Sequence, residues 1–313
     1  VRGAQRYLVV SLLAVPLLLA AAWLMDPARS TPQDAETIRR VMLPAALGFG
    51  LLLGAFPFGT WMPALAAATP PIVTAFVFTA GQAMALFLTL VFLQNNVQIL
   101  SDGVAPAVIQ IGGLVMAVAG GVMAAAQRDF GRLFGYAAMS DMGILLLALV
   151  AAGSQSVTLV LLHLISRGVI LTLMAAALSI LRHRATTDRF DDLGGVARRQ
   201  PIATMGLVLG GLALAGFPLT AGFPTRWAVY RAMSGEEMLW TFLLLASSAG
   251  IVIGLLRGLS AMLGTEPRDD VARQPILASL LVILLAILVI LLGIVPQLFL
   301  EPASRAAEAF ALF

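Results

Sequence analysis

The chain has 313 residues, 60% of them hydrophobic and 11% charged, with a formal net charge of +3 and no cysteine. Soluble domains carry about 25% charged residues, so this composition places most of the chain inside a bilayer. The absence of cysteine excludes disulfides, thiolate-bound zinc and ordinary iron–sulfur ligation. All nineteen basic residues are arginine, which excludes any mechanism that loads and releases a proton on a buried lysine.

Apolar runs long enough to cross a bilayer predict helices over 7–25, 41–58, 72–93, 104–126, 133–152 and 157–181. After an arginine-rich loop, 201–233 is apolar but interrupted, and 238–263 and 275–295 complete the set. The first run is too long for the apolar core of a cleavable signal, and "WLMDPARS" after it lacks a small-x-small site. The first residue is Val, which reads either as the start of a fragment or as a non-AUG codon. The tail, 301–313, is short and mixed and is expected at the membrane interface. No polar linker divides the chain, so a single membrane domain is expected.

Segment 201–233 is too long for one ordinary span and too short for two. Read as one broken span, it gives nine crossings. One side then holds Arg2, Arg6, Arg128, Arg132, Arg182, Arg184, Arg189, Arg198, Arg199, Arg268 and Arg273, and the other Arg29, Arg39, Arg40, Arg231 and Arg305. Eleven against five predicts a cytoplasmic N-terminus by the positive-inside rule.

The break lies in "AGFPLTAGFPTRW", where Pro218, Thr220 and Gly222 interrupt the helix. A weaker counterpart, "LLGAFPFGTWMP" around Pro57, lies in the first half. Paired broken helices in corresponding halves are a feature of inverted-repeat transporters. The freed carbonyls beside "FPLTAG" could hold a cation.

Ionisable residues inside apolar helices are costly and mark polar paths or ion pairs. His163 and Arg167 are four apart and share a helix face, which fits an interior polar path or a static pair. Asp141 is nearly two turns into its predicted helix and could instead reach the interface, while Arg226 and Arg231 follow the second break. Arg257, near a helix end, can snorkel and reads as structural. His183 lies in the loop cluster "LRHRATTDRF", so the two histidines do not suit a bis-His haem. No cofactor, metal site or catalytic residue is expected in the chain.

The stretches "AQRDFGRLFGYAAMSDMG", "LLHLISRGVILTLMAAAL", "DDLGGVARRQPIATMGLVLGGLALAGFPLTAGFPTRW" and "GIVPQLFLEP" resemble the antiporter-like, proton-channel membrane subunits of respiratory complex I. Related subunits occur in Mrp antiporters and membrane-bound hydrogenases. "FPFGTWMPALAAATPPIVTAF" is similar to that family's Pro-x-His-x-Trp-Leu-Pro segment.

The resemblance implies an all-α polytopic fold of two inverted five-helix repeats, each with one broken helix. The chain would begin at the third helix of the first repeat, past the helix with the family's buried glutamate. Residues 1–103 would be a partial first repeat, 104–263 the second, and 264–313 a terminal span with its tail.

By the same resemblance His163 falls on a channel histidine, Arg167 on the central lysine, and Arg226 on the lysine or glutamate of the second broken helix. Asp141 stands where a histidine is usual. Leu52, Gly59 and Gln82 or Ala83 stand at three further polar positions of the family. The first half-channel therefore reads as disabled, and the second as charged but without a titratable lysine.

The function this implies is that of a membrane subunit of a complex I-like assembly, taking part in proton translocation coupled to NADH:quinone oxidoreduction. Its partners would be other membrane subunits in a prokaryotic plasma membrane. The alternatives are a non-conducting scaffold, or a subunit of a cation/proton antiporter or inorganic-carbon uptake complex.

Overall fold

The computed structural model describes residues 2–25, 35–96, 99, 103–151, 153–235, 238–264 and 275–311. Val1, Arg29, Arg268, Arg273 and the last two residues of the tail lie outside the described residues.

The first half begins with α1 (Arg2–Leu24) and α2 (Ala35–Leu53). α2 starts earlier than its apolar run, in a polar turn where Glu36 pairs with Arg40. It stops at Leu53 rather than continuing to 58, because Gly54 turns left-handed at φ 76°. Gly54 N–H bonds to Leu51 O (3.4 Å) and Ala55 N–H to Gly50 O (2.7 Å). This double closure satisfies carbonyls that a helix end would otherwise leave bare. Past Pro57, a short helix that the sequence reading left unassigned, α3 (Trp61–Ala68), resumes the direction of travel. Its Pro63 lies in the first turn, where a missing N–H costs no helical bond. The next span is composite: α4 (Pro71–Phe76), a π-helical turn at Val77–Gly81, and α5 (Gln82–Asn95).

The second half holds α6 (Val104–Ala125), α7 (Phe130–Ala151) and α8 (Ser156–Ala185), then a one-turn α9 (Val196–Arg199). The broken span follows as α10 (Pro201–Ala215) and α11 (Phe223–Ser234). α12 (Met238–Met262), α13 (Ile276–Ile294) and α14 (Gln297–Ala311) complete the order. α10 opens on a proline at its first position, where the ring fits the helix without loss. It ends at Gly216, φ 77°, by the same double closure as α2: Gly216 N–H to Ala213 O (3.0 Å) and Phe217 N–H to Leu212 O (2.9 Å).

Among the described residues, eight helical segments are long and apolar enough to cross a membrane, and the shorter Pro201–Ala215 lies in the broken span. The chain is an integral, all-α membrane protein.

α7 is buried along nearly its whole length and is the central post. It packs on α6, α3, α8 and α11. Small residues line its crossing with α6 (Ala117 and Gly120 against Ser140 and Gly143), and Ser140 Oγ lies 3.1 Å from Ser247 Oγ of α12. Small side chains and hydroxyl bonds are what tighten helices where lipid supplies no hydrophobic drive. α7 begins at Phe130, one turn before the predicted 133, because Asp129 caps it by accepting from Arg132 N–H (2.7 Å). Asp141 is therefore about three turns into the helix rather than two, too deep to reach the interface.

Candidate functional site

Asp141 is the hub of a polar centre buried among α7, α8 and α11. It is 1% exposed, as is Arg167; Arg226 is 0% and His163 2% exposed. Arg167 Nη1 donates to Asp141 Oδ2. Arg226 Nη2 donates to Asp141 Oδ1 at 3.2 Å. His163 Nε2 lies 3.3 Å from the same Oδ1, without the alignment of a hydrogen bond. One carboxylate is thus shared by two permanent cations, with an imidazole beside it. Asp141 faces Arg167, Arg226 and His163 together; Arg231 and Arg257, also singled out in the sequence, lie away from this centre. Arg257 donates to Ala125 O at 2.6 Å.

Each arm of the centre is held by ordinary polar groups. His163 Nδ1 is 2.7 Å from Thr225 Oγ1. Arg226 Nη1 donates to Ser248 Oγ at 3.2 Å, and Tyr230 Oη is 2.8 Å from that hydroxyl. The aliphatic stem of Arg226 lies against Gly216, where an added Cβ would stand 2.2 Å from Arg226 Cδ. Gly216 therefore serves two ends: its left-handed backbone closes α10, and its bare Cα admits the arginine.

Arg167 reaches the other way, into the first half. Its Nη2 donates to Gln82 Oε1 (2.6 Å), its Nε to Phe78 O (3.4 Å) and its Nη1 also to Ala138 O (3.1 Å). Phe78 lies in the π turn, whose wider spacing interrupts the regular helical ladder and leaves that carbonyl to the guanidinium. Gln82 in turn donates from Nε2 to Leu53 O at 3.1 Å, the last residue of α2 before the first break. A continuous chain of hydrogen bonds runs from one break to the other: Leu53 O, then the side chains of Gln82, Arg167, Asp141 and Arg226.

Pro57 and Pro218 lie in the two interruptions. Thr220 Oγ1 donates to Phe217 O at 2.6 Å. Gly222 precedes α11, and its carbonyl accepts Arg226 N–H at 3.4 Å. Of the carbonyls at the end of α10, those of Leu212 and Ala213 are taken by backbone amides, and the side chain of Arg226 turns to Asp141. At the first break Leu52 is apolar, and Gly59 packs so that an added Cβ would be 2.0 Å from Gly54 O, leaving no room for an imidazole.

Sequence reasoning missed Thr225, Tyr230 and Ser248, and it gave Gln82 a family position without a partner. Among the described residues no group of three or more His, Cys, Asp or Glu could hold a metal ion.

The family model described as "NADH:quinone oxidoreductase/Mrp antiporter, TM" matches residues 3–254. The chain belongs to that family. Curated relatives include the NADH-quinone oxidoreductase subunit N of Rhodococcus opacus, 30% identical over 273 residues, which covers 85% of this chain and 50% of the relative. The subunit N of a Parafrankia species is 31% identical over 280 residues, covering 85% and 52%. The chain spans about half the length of these relatives.

Among solved structures, the Mrp complex from Dietzia sp. superposes with a TM-score of 0.84 at 18% identity, over 98% of this chain and 67% of that one. Respiratory complex I from Thermus thermophilus with bound NADH gives 0.82 at 21%, over 99% and 68%. At these identities the superpositions establish the antiporter-like fold.

Proposed function

We propose that the chain is a membrane subunit of a multi-subunit, complex I-like assembly and takes part in proton translocation coupled to NADH:quinone oxidoreduction. Its relatives carry the name of a subunit of that enzyme, and the carrying observation is Asp141 shared between Arg167 and Arg226. A proton and a guanidinium compete for the same carboxylate oxygens. Loading Asp141 therefore requires one arginine to let go, and His163 at 3.3 Å is the titratable neighbour that can exchange the proton. Arginine displacement replaces the deprotonation of a lysine, because a guanidinium keeps its charge at any ordinary pH. We read 1–103 as the partial first repeat, 104–263 as the second and 264–313 as the terminal span with its tail. The arginine distribution supports a cytoplasmic N-terminus in a prokaryotic plasma membrane.

Reconstitution of the assembly in proteoliposomes tests this. Proton uptake per NADH oxidised is expected to fall with His163→Ala and with Asp141→Asn, and to survive Arg167→Lys, which restores a titratable amine. Unchanged stoichiometry in His163→Ala and Asp141→Asn would refute the exchange step. That result would support a second reading, a non-conducting scaffold. Occupation of both Asp141 oxygens by arginines and the apolar Leu52 and Gly59 at the first break favour it.

A further inference from the structure

A groove of about 750 Å³ lies on the side of the molecule opposite the arginine-rich loops. It opens between the start of α8, the outer end of α11 and the amphipathic α14. Its rim is polar: Gln155 and Thr158 from one wall and Arg231 from another. Among the described residues none of these three side chains has a hydrogen-bond or ion-pair partner, and no acidic residue lines the groove. Deeper in, the wall is apolar, formed by Leu159, Leu162 and Trp227. α14 packs against α8 and closes the third side with Leu300 and Ser304. Trp227 is 57% exposed and stacks on Phe223 at 6.0 Å.

The lining thus changes along its length from an unpaired cation to aliphatic and aromatic surface, at the level where spans end. Tryptophan and arginine at that level match the boundary between acyl chains and headgroups. A lone cation with free hydroxyl and amide groups complements a phosphodiester, and the adjoining wall complements a chain. Because the described lining carries a single positive charge and no acid, a lipid with net charge −1 fits it better than a zwitterion, whose ammonium would have no partner there.

We propose that this groove is a binding site for one anionic glycerophospholipid, with its phosphate on Arg231 and an acyl chain along Leu159, Leu162 and Trp227. The proposal stands independently of any proton path.

The test uses the purified full chain in detergent, loaded with phosphatidylglycerol or phosphatidylcholine and read by native mass spectrometry. One phosphatidylglycerol is expected to be retained in preference to phosphatidylcholine. Retention should fall about tenfold in Arg231→Gln, stay within about twofold of wild type in Arg231→Lys, and be lost in Leu159→Trp, which fills the groove while leaving the cation. Inorganic phosphate at millimolar concentration should not displace the lipid. Equal retention by wild type and Arg231→Gln, equal retention of both lipids, or displacement by inorganic phosphate would each overturn the proposal. No retained lipid in the wild type would overturn it as well, and would leave the groove to a protein partner.

Discussion

The two helix breaks share a closure and differ in everything that faces it. Each first half-helix ends on a left-handed glycine, Gly54 or Gly216, with the same pair of backbone bonds returning three and five residues upstream. Each is followed by a proline and a second half-helix. At the first break the uncharged Gln82 satisfies Leu53 O. At the second, Arg226 leans on the glycine and reaches a carboxylate. Backbone geometry alone therefore does not make a charged site. A break supplies room and loose ends, and the neighbouring helices decide what fills them.

The comparison breaks most sharply at Asp141. Replacing it with leucine leaves two arginines buried without a counter-charge, and losing one partner of a buried pair costs about 3–5 kcal/mol. A large fall in the thermal unfolding midpoint in detergent is expected. A double change that also removes Arg226, Asp141→Leu with Arg226→Met, should recover part of it. At the second break itself, Gly216→Ala puts a methyl group into a left-handed position and into Arg226 Cδ. Strain of this kind costs roughly 1–3 kcal/mol. The equivalent change at Gly54 meets Met62 Sδ at 2.8 Å, the far part of a flexible side chain, and should be milder by the same measurement.

Gln82 is the link between the breaks, and two substitutions separate its roles. Gln82→Leu strands a helix-end carbonyl and one arm of Arg167, an effect of about 1–3 kcal/mol. Gln82→Glu keeps the acceptor for Arg167 and adds a negative charge to a centre with one carboxylate and two arginines. It should therefore be the more stable of the two.

The smallest effect is expected outside the membrane. Burial pushes the Asp129 carboxyl above its ordinary value, against the bond it accepts from Arg132 N–H. An acid whose folded value is raised binds its proton more tightly in the folded state. Its contribution favours folding at low pH and is lost as pH rises from the ordinary aspartate value through the raised one. Asp129→Asn, an equally good helix cap, should flatten that slope in unfolding curves taken across pH and change neutral stability by no more than about 0.5 kcal/mol.

The spans were legible in the sequence because a bilayer demands a length of apolar residues and little else. The breaks were legible because glycine and proline act locally. His163 and Arg167 announced themselves by their spacing on a single helix. Their meeting with Asp141 did not, because it joins residues 22 and 26 positions apart on two helices and depends on the register between them. Thr225, Tyr230 and Ser248 carry no signal at all: a hydroxyl on a membrane helix usually bonds its own backbone, as Thr172 does to Gly168 O. The π turn at Val77–Gly81 was hidden for a related reason, since its purpose, the carbonyl of Phe78, is visible only from Arg167.

α8 is also fastened to the first half at its far end. Arg182 donates to Ala66 O and Thr69 O, the closing carbonyls of α3, and to Asp188 in the following loop. One rigid rod thus grips the second piece of the first broken helix at the membrane surface and, through Arg167 and Gln82, its first piece at mid-depth. Mechanically α8 is a tie-bar with two anchor points, one on either side of the first hinge. A lengthwise slide or a tilt of this bar would pull on both pieces together, so the first hinge can flex only as far as the bar allows, even though it carries no charge of its own.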